Sequence, residues 1–250
     1  MTSVLTYAVL LALAAAAWAH VVWTAMTDEM AGMDMVMTPS FLDGLVFVLA
    51  WAIMMAAMML PSALPMIGLY ATTQGRQSGP AGAAGAPVAI FALVYLALWA
   101  ATGVPMYFAS VALSGLSPAA RAYGVAGVLV AAGAFQLSSF KRMCLRQCRS
   151  PLGFLLGHWR PGWRGGLSLG WAHAVYCLGC CWALMVVLVA AGAMGLAWVL
   201  LVAAVVAAEK VVQRGEWIAR LAGVALVALG VAVAIRPGLA LTLRGVTATM

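Results

Sequence analysis

Charged side chains are scarce in this 250-residue sequence: they make up 8% of the chain, whereas 66% of its residues are hydrophobic. A soluble globular domain is roughly a quarter charged and about half apolar. The shortage of charge therefore excludes an ordinary cytosolic enzyme, a disordered protein and a disulfide-rich secreted module. The mean hydropathy is +1.07, and a lipid bilayer is the solvent that this composition implies.

Histidine and acidic residues are also few, with three His and six Asp+Glu in the whole chain. The sequence has no Ser-His-Asp arrangement and no His-Glu-x-x-His motif, which disfavours hydrolytic activity. Whether the protein is an enzyme of another kind stays open, with a non-enzymatic function favoured. The net charge is +7, but the basic residues flank apolar stretches, so nucleic acid is not an expected partner.

Apolar stretches separated by charged or Gly/Pro-rich segments predict an all-α fold: a polytopic transmembrane helical bundle with about seven spans (six to eight). The whole chain, 1–250, forms one integral membrane domain in this interpretation. Pro61 and Pro65 are expected to interrupt the second span near its end, and Pro105 to kink the third. The predicted spans are 4–22, 41–60, 88–113, 119–140, 166–190, 196–208 and 217–235.

Basic residues concentrate between the fourth and fifth spans, in the segment 141–165. Because loops rich in Lys and Arg stay on the cytoplasmic side of a membrane, this segment is predicted to be a basic cytoplasmic loop. Counting spans from it places the N-terminus in the cytoplasm. The same count places the C-terminus and a Met/acid-rich loop, 27–40, outside.

One face of the fifth predicted span carries a dense set of metal-ligating residues. A helix advances about 100° per residue, so His173, Cys177, Cys180 and Cys181 fall within an arc of about 100°. Thiolates and imidazole suit Cu(I) or Zn(II). A single intramembrane Cys is commonly a packing residue, but three within five residues, one turn after a His, favour a functional site. Since one helix cannot surround an ion, another span is expected to supply ligands.

The second span offers thioether ligands. Met54 and Met58 lie within about 40° of each other on a helix, and so do Met55 and Met59. Thioether sulfur prefers Cu(I) and has little affinity for Zn(II), so Cu(I) is the suspected ion and Zn(II) the less favoured one. Taken alone, such a stripe is more typical of helix packing. The Cys/His face in the same membrane is what favours metal binding.

The predicted outer loop is also rich in methionine, with Met30, Met33, Met35 and Met37 among acidic residues. Thioethers in an exposed polar loop have no core to fill and are able to capture Cu(I). The alternative is an interfacial turn that dips into lipid.

Cys144 and Cys148 are spaced i, i+4 at the predicted end of the fourth span, so they share a helical face. Arg142, Arg146 and Arg149 lie nearby, and positive charge is expected to lower the pKa of both thiols. The pair is a candidate for metal exchange or for redox chemistry, and two ordinary reduced thiols are an equally good interpretation.

Two carboxylates near span ends are candidate gating or ion-pair residues. Asp43 lies at the outer end of the second span, as expected of a residue at the mouth of a pathway. Glu209 is followed by Lys210 at the end of the sixth span, and we interpret the two as a terminal ion pair or a snorkelling pair.

These motifs resemble a bacterial family of predicted metal-binding integral membrane proteins of unknown function. The resemblance spans roughly residues 40–225 and rests on the following blocks: Trp51 to Pro61, Cys144 to Pro151, Tyr176 to Trp182 followed by Met185, and Glu209-Lys210. It implies a polytopic protein of the bacterial inner (plasma) membrane and a metal that is often supposed to be copper.

Three hypotheses follow from the sequence. The first is a copper(I)-handling membrane protein, for transport, metallochaperone function or delivery to a copper-dependent membrane or periplasmic protein. The second is a membrane thiol-disulfide oxidoreductase in which Cys177 pairs with Cys180 or Cys181. The third is an accessory subunit of a larger membrane enzyme, or an oligomer, that packs through a Gly-rich face such as Gly124 to Gly133.

Overall fold

The computed structural model describes residues 2–27, 40–77, 85–160, 162–190 and 195–243, and the regular structure in these ranges is entirely α-helical. The predicted all-α fold is confirmed. In chain order the helices are α1 (Thr2–Met26), α2 (Phe41–Gln77), α3 (Gly85–Ala101), α4 (Gly103–Ser114), α5 (Pro118–Leu137), α6 (Ser139–Arg149), α7 (Pro151–His158), α8 (Gly162–Ala190), α9 (Leu196–Val211), α10 (Gly215–Ile235) and α11 (Leu239–Leu243).

Six helical stretches in the described ranges are long and apolar enough to cross a membrane: α1, α2, the pair α3–α4, α5, α8 and α10. This number agrees with the predicted six to eight spans. The short helix α9, at 16 residues, is the sixth predicted span. The most buried of the six stretches is α8, which places the predicted Cys/His face inside the bundle.

The prolines of α2 do not end the helix, because α2 continues through Pro61 and Pro65 for 37 residues in all. The predicted end at residue 60 is therefore wrong. Proline has no amide hydrogen, so Pro61 and Pro65 leave the carbonyls of Ala57 and Pro61 without their usual donors in the helix. In the same turn, Ser62 Oγ and Tyr95 OH both donate to the carbonyl of Met59, at 2.9 and 3.4 Å.

The third predicted span is helical from Gly85 to Ser114, with one interruption at Thr102, three residues before Pro105. Proline has no amide hydrogen to donate to the carbonyl of Ala101, four residues before it. Thr102 keeps helical backbone angles, and its Oγ1 donates to the carbonyl of Trp99 at 2.6 Å and accepts from Trp51 Nε1 at 3.0 Å. These bonds join this part of the span to α2, and the predicted kink at Pro105 stays a prediction.

The fourth predicted span ends earlier than expected, at Leu137, and a separate helix, α6, begins at Ser139. The residue between them, Ser138, has an extended backbone and accepts a hydrogen bond from the amide of Lys141 at 3.1 Å. This is an N-cap, which starts a new helix in a new direction. Much of the predicted basic loop 141–165 is therefore helical, in α6 and α7.

Glycine allows two helix pairs to approach closely. A Cβ on Gly133 of α5 would lie 2.6 Å from the carbonyl oxygen of Gly223 on α10, and one on Gly230 would lie 2.9 Å from the carbonyl oxygen of Ala126. Between α3 and α8, a Cβ on Gly170 would lie 2.8 Å from the oxygen of Phe91. Such contacts are typical of packing between membrane helices. Part of the predicted Gly-rich face is thus used within the chain.

Candidate metal centre

The four residues of the predicted Cys/His face all lie on α8 and are buried. His173 is 4% exposed, Cys177 0%, and Cys180 and Cys181 1% each. In the described chain all five cysteines are free thiols. Burial of three thiols and an imidazole on one helix leaves them dependent on neighbouring helices for polar partners.

The partner thiol comes from α6. Cys148 Sγ lies 3.9 Å from Cys180 Sγ, and Cys180 Sγ lies 3.2 Å from Cys181 Sγ. With metal–sulfur bonds of about 2.3 Å and near-tetrahedral or trigonal angles, two thiolates on one ion lie about 3.8–4.0 Å apart. The Cys148–Cys180 pair has this separation, whereas the Cys180–Cys181 pair is closer than two ligands of one ion.

Cys177 has a charged partner that sequence reasoning did not assign to the site. Lys210 Nζ, at the end of α9, lies 3.0 Å from Cys177 Sγ and donates to Ser62 Oγ at 3.0 Å. Tyr95 OH is 3.1 Å from the same sulfur. An ammonium group at this distance stabilises a thiolate. The C-terminal end of α9 therefore packs beside the thiols of α8. Its Lys210 places a positive charge in the candidate site.

The sequence feature that could have identified Tyr95 and Ser62 is a polar side chain within an apolar helix. Tyr95 and Ser62 are each surrounded by hydrophobic neighbours in the sequence, and polar groups in such helices commonly have a function. Lys210 was interpreted as pairing with Glu209 or snorkelling. Only the packing of α9 against α2 and α8 directs it to Cys177.

His173 is enclosed by aromatic rings. Its ring centroid lies 5.9 Å from that of Phe91, 5.6 Å from that of Tyr95 and 5.6 Å from that of Phe154. Its Nδ1 is buried and has no hydrogen-bond partner among the residues that the structure describes. Because buried polar atoms are normally paired, this nitrogen is chemically available as a donor to an ion.

The four predicted methionine ligands of α2 are buried in the same core as the thiols. Met55 and Met59 are 0% exposed, Met54 2% and Met58 4%. The backbone of Met59 reaches the site through Tyr95, whose hydroxyl touches both the Met59 carbonyl and Cys177. The loop methionines Met30, Met33, Met35 and Met37 lie outside the described residues.

The buried thiols of the described helices contact one another in pairs and do not form a closed coordination site. Within the described ranges, no group of three or more His, Cys, Asp or Glu side chains is arranged to hold a metal ion. Pairwise sulfur contacts together with a lysine are what the structure provides.

The basic residues of α6 do not act on its thiols as expected. Burial raises the pKa of Cys144. The pKa of Cys148 is also raised, first by its hydrogen bond to Cys177 and then by burial, whereas its hydrogen bond to Cys180 acts in the opposite direction. The predicted lowering is therefore wrong. The reason is geometric, because the three arginines point away: Arg142 donates to a carbonyl of α5, Arg146 pairs with α10, and Arg149 donates to two carbonyls of the α9–α10 turn.

A second buried polar cluster lies beside the thiols. Glu209 forms an ion pair with Lys141 of α6 at 2.6 Å, with both side chains at most 1% exposed, rather than with its neighbour Lys210. Gln136 donates to Glu209 at 3.1 Å and accepts a hydrogen bond from Lys141. This cluster joins α5, α6 and α9, and so fixes the helix that carries Cys148.

Asp43 is part of a helix cap. Ser40 Oγ donates to its carboxylate at 2.6 Å, and the amide of Asp43 donates to Ser40 Oγ at 3.1 Å. Ser40 is therefore an N-cap that starts α2, and the Asp43 carboxylate holds the capping hydroxyl in place. The cap accounts for an acidic residue here, and a gating role stays a prediction.

Comparison with known proteins adds one finding. A family model described as "PpoB2: Copper chaperone" matches residues 48–233 of the chain. The matched region contains Cys148, Cys177, Cys180 and Lys210. No curated protein and no solved structure matches the chain.

Proposed function

The chain belongs to the PpoB2 copper chaperone family, and on that basis we propose that it is an integral membrane carrier that binds Cu(I) at thiols between α6 and α8. The observation that carries this proposal is the 3.9 Å separation of Cys148 Sγ and Cys180 Sγ, the spacing of two thiolates on one ion. Copper is the cargo of this site. Cys177 lies beside the pair and supplies a further sulfur. Cys181 replaces Cys180 as a ligand during exchange, because their sulfurs, 3.2 Å apart, are too close to hold one ion together.

Ligand type favours Cu(I) over Zn(II), because thiolates and thioethers lie in the same core and thioether sulfur has little affinity for Zn(II). The ammonium of Lys210, which lies 3.0 Å from Cys177 Sγ, offsets part of the negative charge that thiolates bring to this buried site.

The other predicted ligands serve as further positions along the carrier. His173, with a free Nδ1, and the α2 methionines receive the ion inside the bundle. The loop methionines capture it at the opposite end. Cys144 takes part only in the exchange step beside Cys148 and holds no copper in the loaded protein. Asp43 and Glu209 flank the two ends of this route.

The expected location is the bacterial inner membrane, with the N-terminus in the cytoplasm and the C-terminus outside. This orientation is supported by the basic side chains of α6 and of the α9–α10 turn, which the positive-inside rule places on the cytoplasmic side. The acceptor is a copper-dependent membrane or periplasmic protein, and the carrier acts alone, as an oligomer or within a larger complex.

Copper binding by matched cysteine variants tests the site. The purified protein is titrated with Cu(I) without oxygen against a chromogenic Cu(I) chelator, and bound copper is measured by elemental analysis. Cys148→Ser and Cys180→Ser are expected to lose the copper ion. Cys144→Ser is the matched control, because this thiol is on the same helix but packs against Gly179. Stoichiometric copper in Cys148→Ser or Cys180→Ser would overturn the proposal.

The same sulfur pair favours a second candidate, a thiol oxidoreductase. Thiols 3.9 Å apart need only a small movement to form a disulfide of about 2.05 Å. Alkylation followed by mass spectrometry of protein isolated from cells separates the two functions. A Cys148–Cys180 disulfide that appears and disappears with growth conditions supports redox cycling, whereas thiols that stay reduced with copper bound support carriage.

A further inference from the structure

A basic groove of about 560 Å³ lies between the outer face of α6 and the start of α10. Its lining contains four arginines and one glutamate, which leaves three positive charges in excess. The charged residues are Arg146, Arg149, Arg214, Arg220 and Glu216. The thiols of α6 face the opposite way, so this groove is separate from the candidate metal centre.

Two of the four guanidinium groups are already used by the protein. Arg146 pairs with Glu216 at 3.0 Å, and Arg149 donates to two carbonyl oxygens of the α9–α10 turn at 2.7 and 2.6 Å. In the described part of the chain, the exposed side chains of Arg214 and Arg220 make no hydrogen bond to a protein acceptor. Guanidinium groups bind phosphate well because of their planar, forked donors.

The groove continues into an apolar strip along α10. At 100° per residue, Trp217, Arg220, Val224, Val231 and Ile235 share one face of this helix within about 60°. All are exposed; Trp217 is 60% exposed and Ile235 73%. The Arg220 guanidinium lies 5.1 Å from the Trp217 ring centroid. A Trp and an Arg at the start of a membrane helix are typical of headgroup depth.

We infer that this groove binds the phosphodiester headgroup of an anionic phospholipid, whose acyl chains lie along the apolar strip of α10. The charge excess accounts for the headgroup, and the strip that begins at the same arginine accounts for the chains. An acidic protein would match the arginines but not the five-turn apolar face. Since Arg146 and Arg149 belong to α6, the bound lipid also touches the helix that carries Cys148.

Lipid binding by the purified protein tests the inference. The protein, in a zwitterionic detergent, is mixed with phosphatidylglycerol or phosphatidylcholine, and bound lipid is counted by native mass spectrometry. Phosphatidylglycerol is expected to bind more tightly. A charge near a membrane surface contributes about 1 kcal/mol, so each arginine removed should weaken binding about fivefold. Arg214→Gln/Arg220→Gln therefore loses most bound lipid.

The controls keep the test independent of folding. Arg236→Gln removes the same charge from the other end of α10 and is expected to bind phosphatidylglycerol as the unaltered protein does. Arg214→Lys/Arg220→Lys keeps the charge and most of the binding. The inference is overturned if phosphatidylcholine binds equally, if Arg236→Gln loses as much lipid, or if inorganic phosphate or a poly-glutamate peptide displaces phosphatidylglycerol at equal concentration.

Discussion

Two helix interfaces lie side by side in this bundle and are built on opposite principles. Between α5 and α10 the contact is made by glycine and backbone, with Gly133 and Gly223 directly opposed. Between α6, α8 and α9 it is made by thiols, a lysine and a buried ion pair. The first interface gains from close packing alone, whereas the second contains groups that are costly in lipid unless paired. We therefore interpret the α5–α10 interface as structural and the α6–α8–α9 interface as the candidate functional site.

The largest effect is expected from breaking the buried ion pair of the polar interface. Glu209→Ala leaves the ammonium of Lys141 buried and unpaired, which costs about 3–5 kcal/mol in free energy of unfolding. Replacing both partners, as in Lys141→Met/Glu209→Met, removes the uncompensated charge and should recover most of that loss. Thermal or denaturant unfolding in detergent measures it. Equal stability of the single and double variants would contradict the assignment.

A smaller loss of stability is expected from overpacking the glycine interface. Gly230→Leu places a side chain against Val130 and the carbonyl of Ala126 on α5 and should cost about 1–3 kcal/mol. Gly127→Leu is the matched control, because a Cβ at Gly127 meets nothing within 4 Å. The protein that stays folded in Gly230→Leu should bind copper in the usual ratio. Loss of copper there, with the fold retained, would mean that the two interfaces are not separable.

Removing the charge of Lys210 is expected to weaken Cu(I) binding with little effect on the glycine interface. Lys210→Met deletes a hydrogen bond from a cation to Cys177 Sγ, so Cu(I) has to displace a proton from a more tightly held thiol. A fall in affinity of about tenfold, or about 1.4 kcal/mol, should result. Lys210→Arg keeps the charge and should lose less. Competition with a Cu(I) chelator measures both.

The smallest effect concerns the reactivity of Cys144. Its raised pKa means that at pH 8 less of it is thiolate than in a free cysteine. In a variant that keeps only this cysteine, alkylation should be slower than that of glutathione at pH 8, and its rate should keep rising above pH 9. A rate that already levels off below pH 8 would restore the expectation of a thiol activated by arginine.

The periodicity of α8 was enough to predict which of its residues share a face, because helical geometry depends only on spacing. Its partners were not predictable in the same way. Cys148 reaches Cys180 because the chain turns at Ser138, and Lys210 reaches Cys177 because α9 packs across α2 and α8. Both depend on tertiary packing. The arginines of α6 were close to its thiols in sequence, but hydrogen bonds to α5, α10 and the α9–α10 turn direct them elsewhere.

The most direct test of the account is X-ray absorption at the copper edge on the Cu(I)-loaded protein. We expect two or three sulfur neighbours at about 2.3 Å, with the sulfur signal lost in Cys148→Ser/Cys180→Ser and retained in Cys144→Ser. A copper ion surrounded by nitrogen and oxygen, or a sulfur signal unchanged in the double variant, would contradict a thiol site between α6 and α8.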